Sequence, residues 1–181
     1  MPGRPEASPT GYDASQEMAE RLWLASKLKV LSPRSSFSMN DAVDAALFLT
    51  DRMFRQSGIE VQRNLDPEIP DVDASMGQVE QVLVNVLVNA CEATAPGGVV
   101  TVETHYAAAA RAVEVHVKDT GAGMSEAVLK KAFDPFFSTK GRLGIGLAAA
   151  RDLLRRSGGD IRIESRAGKG TDVFMAMPAG H

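Results

Sequence analysis

The chain has 181 residues, 44% of them apolar and 24% charged, with a net charge of −3. That composition belongs to a folded globular protein long enough for one domain with an appendage, and it gives no electrostatic reason to propose a nucleic acid as partner. A single cysteine, Cys91, excludes an internal disulfide and suits a reducing compartment; no Cys/His spacing resembles a zinc site, and no apolar run approaches the roughly 20 residues that span a bilayer.

The opening residues 1–12 are rich in Pro, Gly and Ser, carry no apolar segment of the signal-peptide kind, and read as a frayed tail. From Asp13 to about Leu31, Met18, Leu22, Ala25 and Leu28 recur at helical spacing, and Pro33 breaks the pattern. Residues 13–35 are therefore expected as a helical appendage, and 36–181 as the main domain. Ser38 and Asp41 mark the start of a second helix that runs to about Gln56 and stops at Gly58. "IEVQRNL" alternates as a strand, and "DPEIPD" is a loop. A helix from about Ser75 to Thr94 follows, then two strands, "VVTVETHY" and "AVEVHVKD", joined by alanines around Ala108.

After the glycine-bearing "DTGAGM" comes a short helix, "SEAVLKKAF", capped by Ser125. "DPFFSTKGRLGIG" reads as a long loop and "LAAARDLLRRSG" as a helix. The strands "DIRIESRA" and "TDVFMAMP" close the chain around the turn "GKG". Helices and strands do not alternate regularly. The expected fold class is α+β: a two-layer sandwich whose mixed, mainly antiparallel sheet is covered on one face by helices.

"QVLVNVLVNACEA" interrupts an apolar helix with Asn85 and Asn89. Val79, Val82, Leu83, Val86, Leu87 and Ala90 form a core stripe, whereas Gln78, Gln81, Asn85, Asn89 and Glu92 share a separate strip. An amide oxygen is a neutral, hard ligand, suited to a Mg²⁺ that keeps some waters and takes its other oxygens from phosphates. The plainer reading, two solvated or helix-pairing asparagines, stands beside it. Asp119 ends a strand, where a carboxylate can accept from an exocyclic amine such as that of adenine. Gly121 and Gly123 permit close backbone approach or positive φ. Gly141, Gly144 and Gly146 precede a helix, where free N–H groups and the dipole favour phosphate. No Walker or Rossmann signature is present.

In order, "NVLVNACEA", "DTGAGM", "FDPFFSTK" and "GIGLA" resemble the N, G1, F and G2 boxes of sensor histidine kinases, within the GHKL (Bergerat-fold) ATP-binding superfamily. "GKGTDVF" is similar to that family's closing strand pair, and the resemblance spans about Ser38 to Pro178. It implies ATP and Mg²⁺ as cofactors, bound between the asparagine helix and a lid from about Met124 to Gly144. Asn89 would coordinate Mg²⁺, with Asn85 one turn earlier beside the phosphates. Asp119 would take the adenine amine, with Gly121, Gly123 and Thr171 completing the base pocket. Lys140, Gly144, Gly146 and Leu147 would serve the phosphate end and the lid, and Met124 and Thr139 join the nucleotide-binding set. Phe133, Phe136 and Phe137 would anchor the lid by packing, and Asn85, Asn89 and Lys140 form the implied catalytic group.

In the hydrolysing members of the superfamily, such as DNA gyrase, MutL and the large heat-shock chaperone, a glutamate stands four residues before the metal asparagine. Here that place is Asn85, and an amide has no useful basicity toward water. Transfer to another nucleophile is thus expected over hydrolysis. Glu92 reads as a local polar contact. The three histidines, His105, His116 and His181, lack the context of the family's phosphoacceptor, so the histidine would lie on a separate or missing hairpin domain. A response regulator would be the later partner, and the helix around Trp23 would dimerise or dock. The implied setting is the bacterial cytoplasm, in a parent that is either soluble or membrane-attached. The lid departs from the family in being short, with Arg142 where a glycine is common. The alternatives are a GHKL ATPase, a serine kinase of the anti-sigma type, or a degenerate nucleotide-binding docking module.

Overall fold

A computed structural model describes residues 33–135, 137 and 146–180. The expected tail and almost all of the first expected helix, Trp23 included, lie outside the described residues. So do Phe136, Thr139, Lys140, Gly141, Arg142, Gly144 and His181.

The strands are β1 (Ser35–Phe37), β2 (Glu60–Leu65), β3 (Val72–Ala74), β4 (Val99–Ala107), β5 (Ala112–Asp119), β6 (Asp160–Ser165) and β7 (Thr171–Pro178). The helices are α1 (Met39–Gln56), α2 (Met76–Ala93), α3 (Glu126–Leu129) and α4 (Gly146–Arg156). Helix α1 begins where Ser38, in extended conformation, accepts the Asn40 N–H at 3.3 Å. It buries Ala42, Val43, Ala46, Thr50, Met53 and Phe54 on one stripe and ends as Gly58 turns to φ +64°. Helix α2 runs between Ser75 and Thr94, as its periodicity predicts, and its stripe of Val79, Val82, Leu83, Val86, Leu87 and Ala90 is buried.

The main sheet has the order β2-β4-β5-β7-β6. Strands β2 and β4 are parallel because the chain between them crosses over through α2. All other pairs are antiparallel. The sheet is mixed and mainly antiparallel, with the helices on one face, so the α+β sandwich expected from the sequence is the observed architecture. Its register aligns Val102, Val117, Val173 and Ile163 across four strands on the helix side. On the other side it aligns Glu103, His116, Phe174 and Arg162. A slip of one residue would exchange the two faces, so burial of the valines specifies the pairing. Helix α2 lies centrally, packed against α1 on one flank and α4 on the other.

Two features depart from the sequence reading. Ser35–Phe37, partly assigned to the helical appendage, pairs antiparallel with Val72–Ala74, which follows the stretch read as a loop. Three-residue strands are too short for alternation to reveal. The helix expected over "SEAVLKKAF" keeps its Ser125 cap, which accepts the Val128 N–H at 3.4 Å, but is regular only over Glu126–Leu129. None of its residues is buried, and a helix this short is unstable without tertiary packing.

Candidate nucleotide site

Asp119 ends β5 and is buried, with 4% of its surface exposed. A buried carboxylate is costly unless hydrogen-bonded, and here Oδ1 accepts the N–H of Gly121 at 2.8 Å and that of Thr171 at 3.2 Å. These two amides come from different segments, so the side chain's rotation is set by the junction of β5 with β7. A carboxylate held this way is an acceptor suited to an exocyclic amine.

The loop after Asp119 is wedged between two backbone walls. A Cβ on Gly121 would lie 2.3 Å from Ala93 O at the end of α2, and the Ala122 N–H donates to that same oxygen at 3.0 Å. Gly123 has φ +63°, and a Cβ there would meet Arg166 O at 2.1 Å. Both glycines are therefore required by the chain's own backbone, whatever the ligand. The same contact brings the Asp119 loop against the end of the asparagine helix, one turn beyond Asn89.

Gly170 is held still more tightly. Its φ is +84°, and a Cβ would stand 1.9 Å from Asp119 O. Gly170→Ala is expected to cost roughly 2–4 kcal/mol through combined backbone strain and overpacking. A lowered urea midpoint at unchanged slope would register it.

On α2, Asn85 is half-buried, and its Nδ2 donates to Gly146 O at 3.4 Å, a long bond that joins the asparagine helix to the start of α4. Asn89 is half-buried one turn later. Gln81, one turn earlier on the same strip, is 6% exposed, and its Oε1 has no hydrogen-bond partner among the described residues. The strip of amides is thus buried at Gln81 and only half-buried at Asn85 and Asn89. Leu147 lies half-buried in the first turn of α4. Phe133 packs against the core with the Arg151 guanidinium 4.8 Å from its ring centre, and Lys131 lies 5.8 Å from that of Phe137. The first of these contacts ties the segment after α3 to α4, and the second lies within that segment.

The structure brings Asp119, Gly121, Gly123, Met124 and Thr171 together at one end of the sheet, beside the end of the helix that carries Asn85 and Asn89. Thr139, Lys140 and Gly144 lie outside the described residues. Sequence reasoning missed Ser165, whose hydroxyl accepts the Met124 N–H at 2.8 Å and lies 3.0 Å from Thr171 Oγ1. A serine late in an alternating strand carries no signal of its own. Of the histidines, His116 contacts Glu103 and Asp172 and stacks on Phe174 on the outer face of the sheet, and His105 pairs with Glu114. Both sit in strands as structural or surface groups. Cys91 is free and buried.

The donor set fits a magnesium nucleotide. Amide oxygens on α2 suit a hard cation, Asp119 suits an amine, and the glycines leave the base loop without side chains. Among the described residues no cluster of three or more His, Cys, Asp or Glu could hold a metal alone.

A clamped strand-end carboxylate, a glycine loop against an asparagine helix and a closing strand pair define an ATP-binding domain of the Bergerat type. The chain belongs to the family described as histidine kinase-, DNA gyrase B- and HSP90-like ATPase, which residues 76–181 match. It is 32% identical over 143 residues to the signal transduction histidine-protein kinase AtoS of Escherichia coli (strain K12), an alignment covering 78% of this chain and 23% of that protein. It is 35% identical over 156 residues to the sensor kinase CckA of Brucella abortus (strain 2308), covering 76% and 16%. Among solved structures, the nucleotide-free catalytic domain of the histidine kinase ThkA superposes with a TM-score of 0.72 at 29% identity, covering 81% of this chain and 98% of that one. Within the family, the chain is thus of the sensor-kinase catalytic-domain type. It spans less than a quarter of the length of these two curated relatives. No helix among the described residues is long and apolar enough to cross a membrane.

Proposed function

We propose that this domain binds Mg-ATP and donates the γ-phosphoryl group to a histidine on a hairpin domain outside its own fold, from which a response regulator later takes it. The observation that carries the proposal is the Asp119 carboxylate, clamped by the Gly121 and Thr171 amides beside the asparagine helix. Asp119 accepts from the adenine amine, and Gly121, Gly123, Met124 and Thr171 shape the base pocket. Asn89 supplies one oxygen to Mg²⁺ and the phosphates supply others. Held there, Mg²⁺ would supply neutralisation of the charge that develops on the transferred group, and Asn89 would help hold it.

Asn85, at the place a hydrolase gives to glutamate, donates to Gly146 O and holds the first turn of α4 in position instead of deprotonating water. Thr139, Lys140, Gly144, Gly146 and Leu147 form the phosphate end and lid, with Phe133, Phe136 and Phe137 as anchors. The segment ahead of Pro33 would serve as the end of a dimerising hairpin or as a docking helix, and the catalytic domain begins by Ser35, the first residue of β1. The setting is the bacterial cytoplasm.

Titration with a non-hydrolysable ATP analogue tests the reading. Binding at micromolar to submillimolar nucleotide is expected, weakened when Mg²⁺ is chelated. Absence of binding at millimolar nucleotide would reject it. With labelled ATP and a separate histidine-bearing hairpin, acid-labile label should appear on the hairpin, with little steady-state phosphate release.

A further inference from the structure

Ser165, the last residue of β6, sits where three parts of the base pocket meet. Its Oγ accepts the N–H of Met124 at 2.8 Å, lies 2.9 Å from Gly170 O, and lies 3.0 Å from Thr171 Oγ1. Thr171 in turn gives its own N–H to Asp119. The hydroxyl therefore links the glycine loop, the β6–β7 turn and the strand that orients the acid.

A serine hydroxyl owns one proton and two lone pairs. Met124 occupies one lone pair, and the proton has two acceptors in reach. Each choice dictates the state of Thr171. If Ser165 donates to Gly170 O, its second lone pair takes the Thr171 proton, and Thr171 offers the pocket only lone pairs. If Ser165 donates to Thr171 Oγ1, the Thr171 proton is released toward the pocket. Adenine presents a bare ring nitrogen, N1, beside its amine. An amine on Asp119 and a bare nitrogen on Thr171 require the second arrangement.

We infer that Ser165 is a positioning residue for base recognition: by donating to Thr171 it turns the threonine hydroxyl into a donor for the purine N1 and so sets selectivity at that atom. Asp119 reads the amine; the Ser165–Thr171 pair reads the neighbouring nitrogen. The inference rests on the assignment of this pocket to the adenine of ATP. It adds a residue that touches no ligand and acts through one that does.

The test compares binding of Mg-ATP with that of the triphosphate of 1-deazaadenosine, which keeps the amine but replaces N1 with C–H. One hydrogen bond separates the two ligands, so the wild-type chain should prefer ATP by about tenfold. Ser165→Ala should bring that ratio close to one by weakening ATP more than the analogue. Ser165→Thr, which retains the hydroxyl, should restore it. In a Thr171→Val background the ratio should already be near one, with no further change on adding Ser165→Ala.

A purely structural serine would weaken both ligands equally. A folded Ser165→Ala protein with the wild-type ratio would thus overturn the inference. So would a wild-type chain that binds ATP and its deaza analogue alike. Failure of the wild-type chain to bind either nucleotide would instead reject the ATP site itself. Should Ser165→Ala not fold, Ser165→Cys carries the same reading, since its thiol is a weak donor and should lower the ratio; a wild-type ratio there would also overturn it.

Discussion

Asn89→Ala is expected to lower ATP-dependent phosphorylation of an added histidine hairpin by about 100-fold or more, the scale set by removing one preorganised electrostatic group from a reacting centre. The fold should scarcely notice. Asn89 is half-buried on α2, and alanine is the better helix former by about half a kcal/mol. Circular dichroism and the thermal midpoint should match those of the parent. Label transfer would be followed by acid-sensitive retention on the hairpin. Full activity in the variant would remove the magnesium role assigned to this amide, whereas loss of structure would show that the residue serves packing.

Asp119→Asn should weaken ATP by roughly 100-fold, near the upper range for a hydrogen bond to a charged group plus one mispaired donor. The reason is geometric. The two amides that grip Oδ1, from Gly121 and Thr171, require an acceptor at that position. In asparagine the carbonyl oxygen must face them, which turns the side-chain NH₂ toward the amine of the base, donor against donor. Calorimetric titration of both proteins with the same analogue measures the difference, and hydrogen exchange at Gly121 and Thr171 reports whether the clamp survives. Asp119→Ala is the harsher change, because it also leaves the buried Thr171 N–H and the part-buried Gly121 N–H without their carboxylate. A loss of stability of about 1–3 kcal/mol per group is expected there, so Asn is the cleaner probe of recognition.

The pocket's glycines carry a lesson about motif reading. "DTGAGM" invites an explanation from the ligand, since glycine lets a chain approach a flat ring. The structure gives an internal reason first: Gly121 meets Ala93 O, Gly123 meets Arg166 O, and Gly170 meets Asp119 O. These three close approaches lock the end of α2, the base loop and the β6–β7 turn into one body. A pocket assembled this way is rigid at the place proposed for the base, and rigid support is what an oriented acid needs to discriminate among ligands.

By itself the sequence determined where the long helices and most of the strands lie. The period of α2 separated a valine and leucine stripe from a strip of amides because a helix repeats every 3.6 residues. Alternation marked "IEVQRNL" as a strand because side chains in a strand repeat every two residues. Caps at Ser38 and Ser125, and breaks at Gly58 and Gly158, are local chemistry and were equally legible. The order of the four boxes identified the family and singled out Asp119, Asn85 and Asn89 as candidates. Tertiary structure decided what depends on residues distant in the chain. It paired Ser35–Phe37 with Val72–Ala74, segments too short to carry a pattern. It cut the helix after Ser125 short, because nothing there is buried. It sank Gln81 while leaving Asn85 and Asn89 half-exposed on the same strip, since neighbouring helices cover only part of α2. And it brought Ser165 within hydrogen-bond reach of Met124, 41 residues earlier in the chain. A hydroxyl's partners are chosen by three-dimensional proximity, and no spacing along one strand encodes them.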